Sequence, residues 1–143
     1  MDAPYDGDTV ENTTELRLNF DKIKKIGNQD VIPVAVQHAD TNEVLLIAYT
    51  NEFAMEESIK RRKACFWSTS RKKLWLKGEE SGNTFTLVSI YINCEQNSLV
   101  YKVLPDKDNI CHTSIGGVAN NCFYRRLDMD ARQLVFNNYS STD

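Results

Sequence analysis

The run Trp67-Ser68-Thr69-Ser70-Arg71-Lys72-Lys73-Leu74-Trp75-Leu76-Lys77-Gly78-Glu79-Glu80-Ser81-Gly82-Asn83 decides how this chain is read. Aromatic and apolar residues at its start and around Leu74-Trp75-Leu76 predict two short strands joined by a polar, basic turn. Ser81-Gly82-Asn83 is a turn signal, since glycine and asparagine tolerate positive φ. As a fold element the run is a basic β-hairpin with a solvated tip. As a site, the hydroxyls of Ser68, Thr69 and Ser70 and the cations Arg71, Lys72, Lys73 and Lys77 are donors suited to phosphate. Local chemistry leaves both readings open.

Upstream, Ala64 to Ser68 forms the first hairpin strand. Thr50 or Asn51 is placed to cap a helix running to about Lys63. Glu52, Glu56 and Glu57 lie toward its start and Lys60, Arg61, Arg62 and Lys63 at its end, the polarity a helix dipole favours. Phe53, Met55 and Ile59 supply its apolar stripe. Val44 to Tyr49 is almost wholly apolar and predicts a strand buried on both faces. It reads as a hairpin with Val31 to His38, whose Pro33 puts that strand at a sheet edge or near its own start. Leu16, Leu18 and Phe20 alternate with polar residues and suggest a further short strand.

Downstream, Thr84 to Glu95 is the longest strand candidate. Strict alternation puts Thr84, Thr86, Val88, Ile90, Ile92 and Cys94 on one face and Phe85, Leu87, Ser89, Tyr91, Asn93 and Glu95 on the other. Leu99 to Leu104 returns, Pro105 to Asn109 turns, and a small-residue loop from Thr113 to Asn121 follows. Cys122 to Leu127 closes the domain, with a short element at Leu134-Val135-Phe136. The fold class is α+β, a β-rich single domain with one main helix, at residues 14–136. Residues 1–13 read as a flexible arm and 137–143 as a flexible tail.

A length of 143 residues suits one domain with a modest core, which oligomerisation would help to bury. The net charge of −3 argues against general nucleic-acid binding, because the basic residues are local. No apolar run reaches membrane-spanning length, and the acidic N-terminus is unlike a signal peptide, so a cytoplasmic location is expected. In that reducing setting Cys65, Cys94, Cys111 and Cys122 are thiols, thiolates or metal ligands rather than disulfides.

Cys111-His112 with Cys122, and Cys94 upstream, is the strongest metal signal. Catalytic zinc takes three protein ligands and leaves a position for water. The spacing is not that of a zinc knuckle, so three buried small hydrophobes remain an alternative. His112 points away from Cys111 on an extended segment, which suits a general acid or base better than a ligand to the same ion.

These residues together resemble the phosphoribosyl-AMP cyclohydrolase family. The matching pieces are Ile32-Pro33, Val36-Gln37, Val44 to Tyr49 with Asn51, the central run, Cys94, Cys111-His112-Thr113 and Cys122-Phe123-Tyr124-Arg125, in the family's order. The resemblance implies an intertwined homodimer with sites at the subunit interface. It implies zinc held by Cys111 and Cys122 of one chain and Cys94 of the other, with His112 transferring protons. It implies a histidine-biosynthesis hydrolase in which a zinc-activated water attacks C6 of the adenine ring and breaks the N1–C6 bond. The substrate-binding candidates are then Trp67, Ser68, Ser70, Arg71, Trp75, Lys77, Glu79, Ser81 and Asn83. The pyrophosphohydrolase domain of fused family members is not expected here.

Three departures stand out. The family's Asp-x-Asp-x-Asp magnesium motif falls on Asn93, Glu95 and Asn97, which keep one carboxylate. Magnesium binds through carboxylates, so that site is weakened or lost and Mg2+ is not carried over as a cofactor. His38 replaces an expected aspartate, and the interval from Cys111 to Cys122 is longer than the family's. Alternatives are therefore a diverged zinc hydrolase acting on a different purine nucleotide, or a non-catalytic nucleotide-binding homologue.

Overall fold

Alternation of apolar and polar residues, broken by Gly, Asn and charged turns, yields eight strands and one helix among the described residues. In this computed structural model, residues 12–18, 20, 26–107 and 121–136 are described. Residues 1–11 of the expected arm, the expected tail at 137–143, Cys111 and His112 lie outside them. In chain order the elements are β1 (Ile32–His38), β2 (Val44–Thr50), α1 (Glu52–Arg61), β3 (Cys65–Ser68), β4 (Lys73–Leu76), β5 (Phe85–Ile92), β6 (Leu99–Pro105), β7 (Arg125–Asp128) and β8 (Gln133–Phe136). The β-rich α+β class is as the sequence implies. The alternating residues 16–18 and 20 form no strand. Leu18 and Phe20 are exposed there, so no burial rewards the pattern.

A four-stranded sheet has the order β2-β1-β6-β5, and β3–β4 and β7–β8 are separate hairpins. The β1–β2 pair is antiparallel and the β1–β6 pair parallel. This makes β1 internal, so of the two places that Pro33 allowed, a sheet edge or the start of its strand, the structure has the second. The ladder to β6 begins only at Val34, so the missing amide of Pro33 falls before that ladder starts. One sheet face carries Val34, Val36, Leu46, Ala48, Leu99, Tyr101 and Val103 into the core, joined by Phe66 from the β3–β4 hairpin. Met55 of α1 packs against this cluster. The other face stays open in the single chain. Ile47 is 57% exposed, contrary to the expectation of a strand buried on both sides.

A bulge in β5 corrects a second reading. The register shifts between Leu87 and Ser89, so Leu87 faces Val103 while Ile90 faces Tyr101. Directly paired residues share a face, and one extra residue reverses the alternation after it. Phe85, Leu87, Ile90 and Ile92 therefore lie on one side, where strict alternation had divided them.

The helix obeys its local signals. The Asn51 side chain accepts the Ala54 N–H at 2.8 Å. Glu52 lies in the first turn and Lys60 and Arg61 in the last. Arg62 at φ +55° ends the helix, just short of the expected Lys63. Its buried residues are Ala54 and Ser58 rather than Phe53, which is exposed. The Ser58 hydroxyl accepts the Cys65 N–H at 2.9 Å and so ties the helix to β3. Residues 62–64 then run beside β5, with Ala64 N–H donating to Phe85 O at 2.9 Å and Leu87 N–H to Arg62 O at 3.0 Å. The hairpin that follows is thereby fixed against the sheet.

Candidate functional site

The β3–β4 hairpin presents different chemistry on its two faces. Phe66 pairs with Trp75 and Ser68 with Lys73, so these four share one face. Trp67 pairs with Leu74 on the other. At the tip, Lys72 N–H donates to Ser68 O at 2.7 Å and Arg71 N–H to Ser68 Oγ at 3.2 Å. After β4 the chain turns back through a closed loop in which Gly82 N–H donates to Gly78 O at 2.8 Å. Gly78 sits at φ +86°, and a Cβ there would lie 2.0 Å from Asn83 O, so only glycine fits this close approach.

Hairpin and loop enclose a cavity of about 400 Å3. Among the residues expected to bind substrate, it brings together Ser68, Arg71, Trp75, Lys77, Glu79 and Ser81. It also takes Lys73, which the sequence reading offered as a phosphate donor, and Leu74 and Glu80, which it did not select. The two-residue period from Trp75 is a signal that places Lys73 on the same face. The other three candidates lie elsewhere. The Trp67 indole N–H donates to Gln29 Oε1 at 3.1 Å and faces a second cavity with Asp30, Glu52, Phe53 and Lys72. The Ser70 hydroxyl is 3.5 Å from that of Ser68 in the tip. Asn83 is buried, and its Oδ1 accepts the Lys107 N–H at 2.6 Å, so it fastens the loop to the segment leaving β6. Beside it Asp106 accepts from the Lys63 ammonium at 2.7 Å and from the hydroxyls of Thr84 and Thr86. The Lys63 hydrogen bond, then that of Thr84, holds the Asp106 carboxyl down at about 2.

The thiols differ sharply in setting. Cys65 is fully buried, and burial pushes its thiol above the ordinary cysteine range, which marks an inert core thiol. Cys94 and Cys122 are exposed. Cys94 lies in the turn between β5 and β6, and the Cys122 N–H donates to Leu45 O at 2.9 Å on edge strand β2. Among the described residues, no three His, Cys, Asp or Glu side chains gather in one place that could hold a metal.

The turn around Cys94 binds its own side chains. Asn93 Oδ1 accepts the Asn97 and Ser98 N–H groups at 2.9 and 3.0 Å. Asn93 Nδ2 donates to Asn97 Oδ1 at 2.7 Å, and Asn97 Nδ2 to Glu95 Oε2 at 3.1 Å. The amide oxygens are thus engaged locally, and Glu95 is the only carboxylate of the three. His38 also serves a turn, its Nδ1 accepting the Asp40 and Thr41 N–H groups at 3.1 and 3.3 Å. An aspartate carboxylate would meet the same two donors, so this departure is explained locally.

Comparison with known proteins adds a further set of observations. Residues 46–124 match the family model described as phosphoribosyl-AMP cyclohydrolase. A phosphoribosyl-AMP cyclohydrolase of Archaeoglobus fulgidus is 44% identical over 115 residues, 80% of this chain and 96% of that protein. One from Chlorobium phaeovibrioides is 40% identical over 78% of this chain and 77% of its own length. The histidine biosynthesis bifunctional protein HisIE of Thermus thermophilus is 39% identical over 78% of this chain, which spans half of that longer protein.

Proposed function

The chain belongs to the phosphoribosyl-AMP cyclohydrolase family, and from this we propose that it hydrolyses the purine ring of phosphoribosyl-AMP in histidine biosynthesis. One observation carries the reading: the matched segment, residues 46–124, contains both the cation-lined cavity and Cys94, Cys111 and Cys122. In the reaction, water oxygen bonds to C6 and becomes a carboxamide oxygen, the N1–C6 bond breaks, and N1 takes a proton. His112 is the residue we assign to that proton transfer, since an imidazole can exchange protons near neutral pH.

The chemistry of the thiols fits zinc, which takes soft sulfur ligands. We assign Cys94 of one chain, with Cys111 and Cys122 of a second copy, as its ligands. Cys94 and Cys122 are both exposed, which leaves their thiols accessible to an ion and to a second copy. Apolar Ile47, Val88, Tyr91 and Ile92, all exposed in the single chain, support a homodimer. A zinc ion held there would supply a water that ionises near about pH 7. The engaged amides of Asn93 and Asn97 support a reaction with no magnesium at that turn.

The test is turnover of phosphoribosyl-AMP by zinc-replete protein with and without magnesium, beside the zinc content of Cys94→Ser, Cys111→Ser and Cys122→Ser. We expect magnesium-independent turnover and loss of zinc in each variant. Zinc-replete protein that leaves phosphoribosyl-AMP intact would overturn the reaction and point to another purine nucleotide. Variants that retain full zinc would overturn the ligand assignment.

A further inference from the structure

Cys122 combines an exposed side chain with a backbone that is held on both sides. Its own N–H donates to Leu45 O at 2.9 Å. Leu45 is where β2 carries an extra residue, since Val36 pairs with Leu46 and Gln37 with Val44. A bulge of this kind re-aims the backbone at one position. Next to Cys122, the Asn121 side chain works in two directions. Its Oδ1 accepts the Phe123 N–H at 2.7 Å, and its Nδ2 donates to the Glu43 carboxylate, 78 residues away in sequence. Asn121 is only 5% exposed, whereas Cys122 and Phe123 are both exposed. Burying an amide is unfavourable unless its polar atoms are bonded, and a carboxylate acceptor makes the stronger bond. Apolar packing cannot fix a thiol that must stay open to an ion. Here buried polar contacts beside it take over that task.

We propose that Asn121 and Glu43 are positioning residues that aim the Cys122 thiolate at its metal ion. The inference rests on the reading of Cys122 as a zinc ligand and adds what holds that ligand in place. Asn121 closes a turn around Cys122 by bonding the amide that follows it. Glu43, directly before β2, anchors the turn to the sheet. The side chains of Leu45 and Leu46 are buried in the core, so this clasp passes the rigidity of the sheet to an exposed segment. Without it, binding the ion would have to order the segment, at a cost in affinity. Groups that orient a metal ligand without touching the metal typically contribute about 10- to 100-fold in affinity.

The probes are the metal ions alone. Zinc affinity is read by competition against a chromophoric chelator. Co2+ loaded in its place reports the bonded sulfurs through thiolate charge-transfer absorption. Asn121→Ala should weaken zinc binding at least about tenfold and lower the cobalt–thiolate absorption. Asn121→Asp keeps an acceptor for the Phe123 N–H but sets a second carboxylate against Glu43, so at neutral pH it should weaken zinc binding to a similar degree. Adding Glu43→Gln to Asn121→Asp restores the pair with donor and acceptor exchanged, and affinity should return to within a few-fold of wild type. A merely structural asparagine would give a lower Tm in Asn121→Ala with wild-type zinc affinity and cobalt spectrum, and that result overturns the inference. If Asn121→Ala does not fold, Asn121→Asp with and without Glu43→Gln decides. Rescue supports the clasp, and equal affinity in the two overturns it. Zinc fully retained in Cys122→Ser would overturn the ligand reading and the inference with it. Zinc lost in Cys122→Ser but held at wild-type affinity in Asn121→Ala would overturn the inference alone.

Discussion

Replacing Gly78 by alanine should be among the most damaging single-methyl changes in this protein, and its size can be worked from two terms. The residue sits at φ +86°, where an L side chain costs about 1–2 kcal/mol. The added Cβ would lie 2.0 Å from Asn83 O, 2.2 Å from Asn83 C and 2.6 Å from Thr84 N. All three are backbone atoms, so relief requires a movement of about 1 Å in a segment tied at several points. Gly78 O accepts the Gly82 N–H, Lys77 N–H donates to Ala64 O, and Asn83 holds Lys107. Losing one such bond costs about 1–3 kcal/mol. Together the terms give about 3 kcal/mol, or a fall in Tm of roughly 10 °C for a chain of this size. Gly27 provides the control. Its φ is +50° and nothing lies within 4 Å of an added Cβ, so alanine there should cost only the conformational term, about 1 kcal/mol. Circular dichroism melts of the two variants separate steric overlap from backbone strain. If Gly78→Ala melts within 2–3 °C of Gly27→Ala, about the resolution of a small ΔΔG, the close approach of Gly78 to Asn83 is wrong.

Other perturbations probe the framework around the site. Ser58→Ala should lower stability by about 2 kcal/mol in denaturant titration, since the buried Cys65 N–H loses its acceptor. Asn51→Ala removes the helix cap and should cost about 1 kcal/mol by the same measurement, with no change in zinc content. Asp106 has a folded pKa of about 2, depressed from 3.8, so it contributes stability above pH 3.8 that is lost as pH falls toward 2. The stability gap between wild type and Asp106→Asn should therefore be full at pH 5 and close between about pH 4 and 2. A gap that stays constant down to pH 2 would show that the Lys63–Asp106 contact is not formed.

Much of this molecule follows from residues close together in sequence. Asn51 with its acidic first turn and basic last turn sets the helix, because caps and dipole terms act within a few residues. The Ser-Gly-Asn turn and the two aromatic runs set the hairpin, because strand period and turn chemistry are also local. The resemblance to a family was likewise carried by the order of short motifs, and comparison with known proteins agrees with it. What the sequence could not place depends on contacts between distant segments. The bulge near Val88 reverses the faces of β5, and no glycine or proline between Phe85 and Ile92 marks it in the sequence. Pro33 left both a sheet edge and a strand start open, and only the pairing of β6 beside β1, after an interval of some sixty residues, selects the second. Trp67 and Trp75 look like one aromatic pair in sequence, but antiparallel pairing sends them to opposite sides of the hairpin. Lys77 looks like one more surface lysine in a basic run. Only the packing of Trp75 and Phe85 around it, from strands that meet through tertiary structure, leaves the residue 8% exposed.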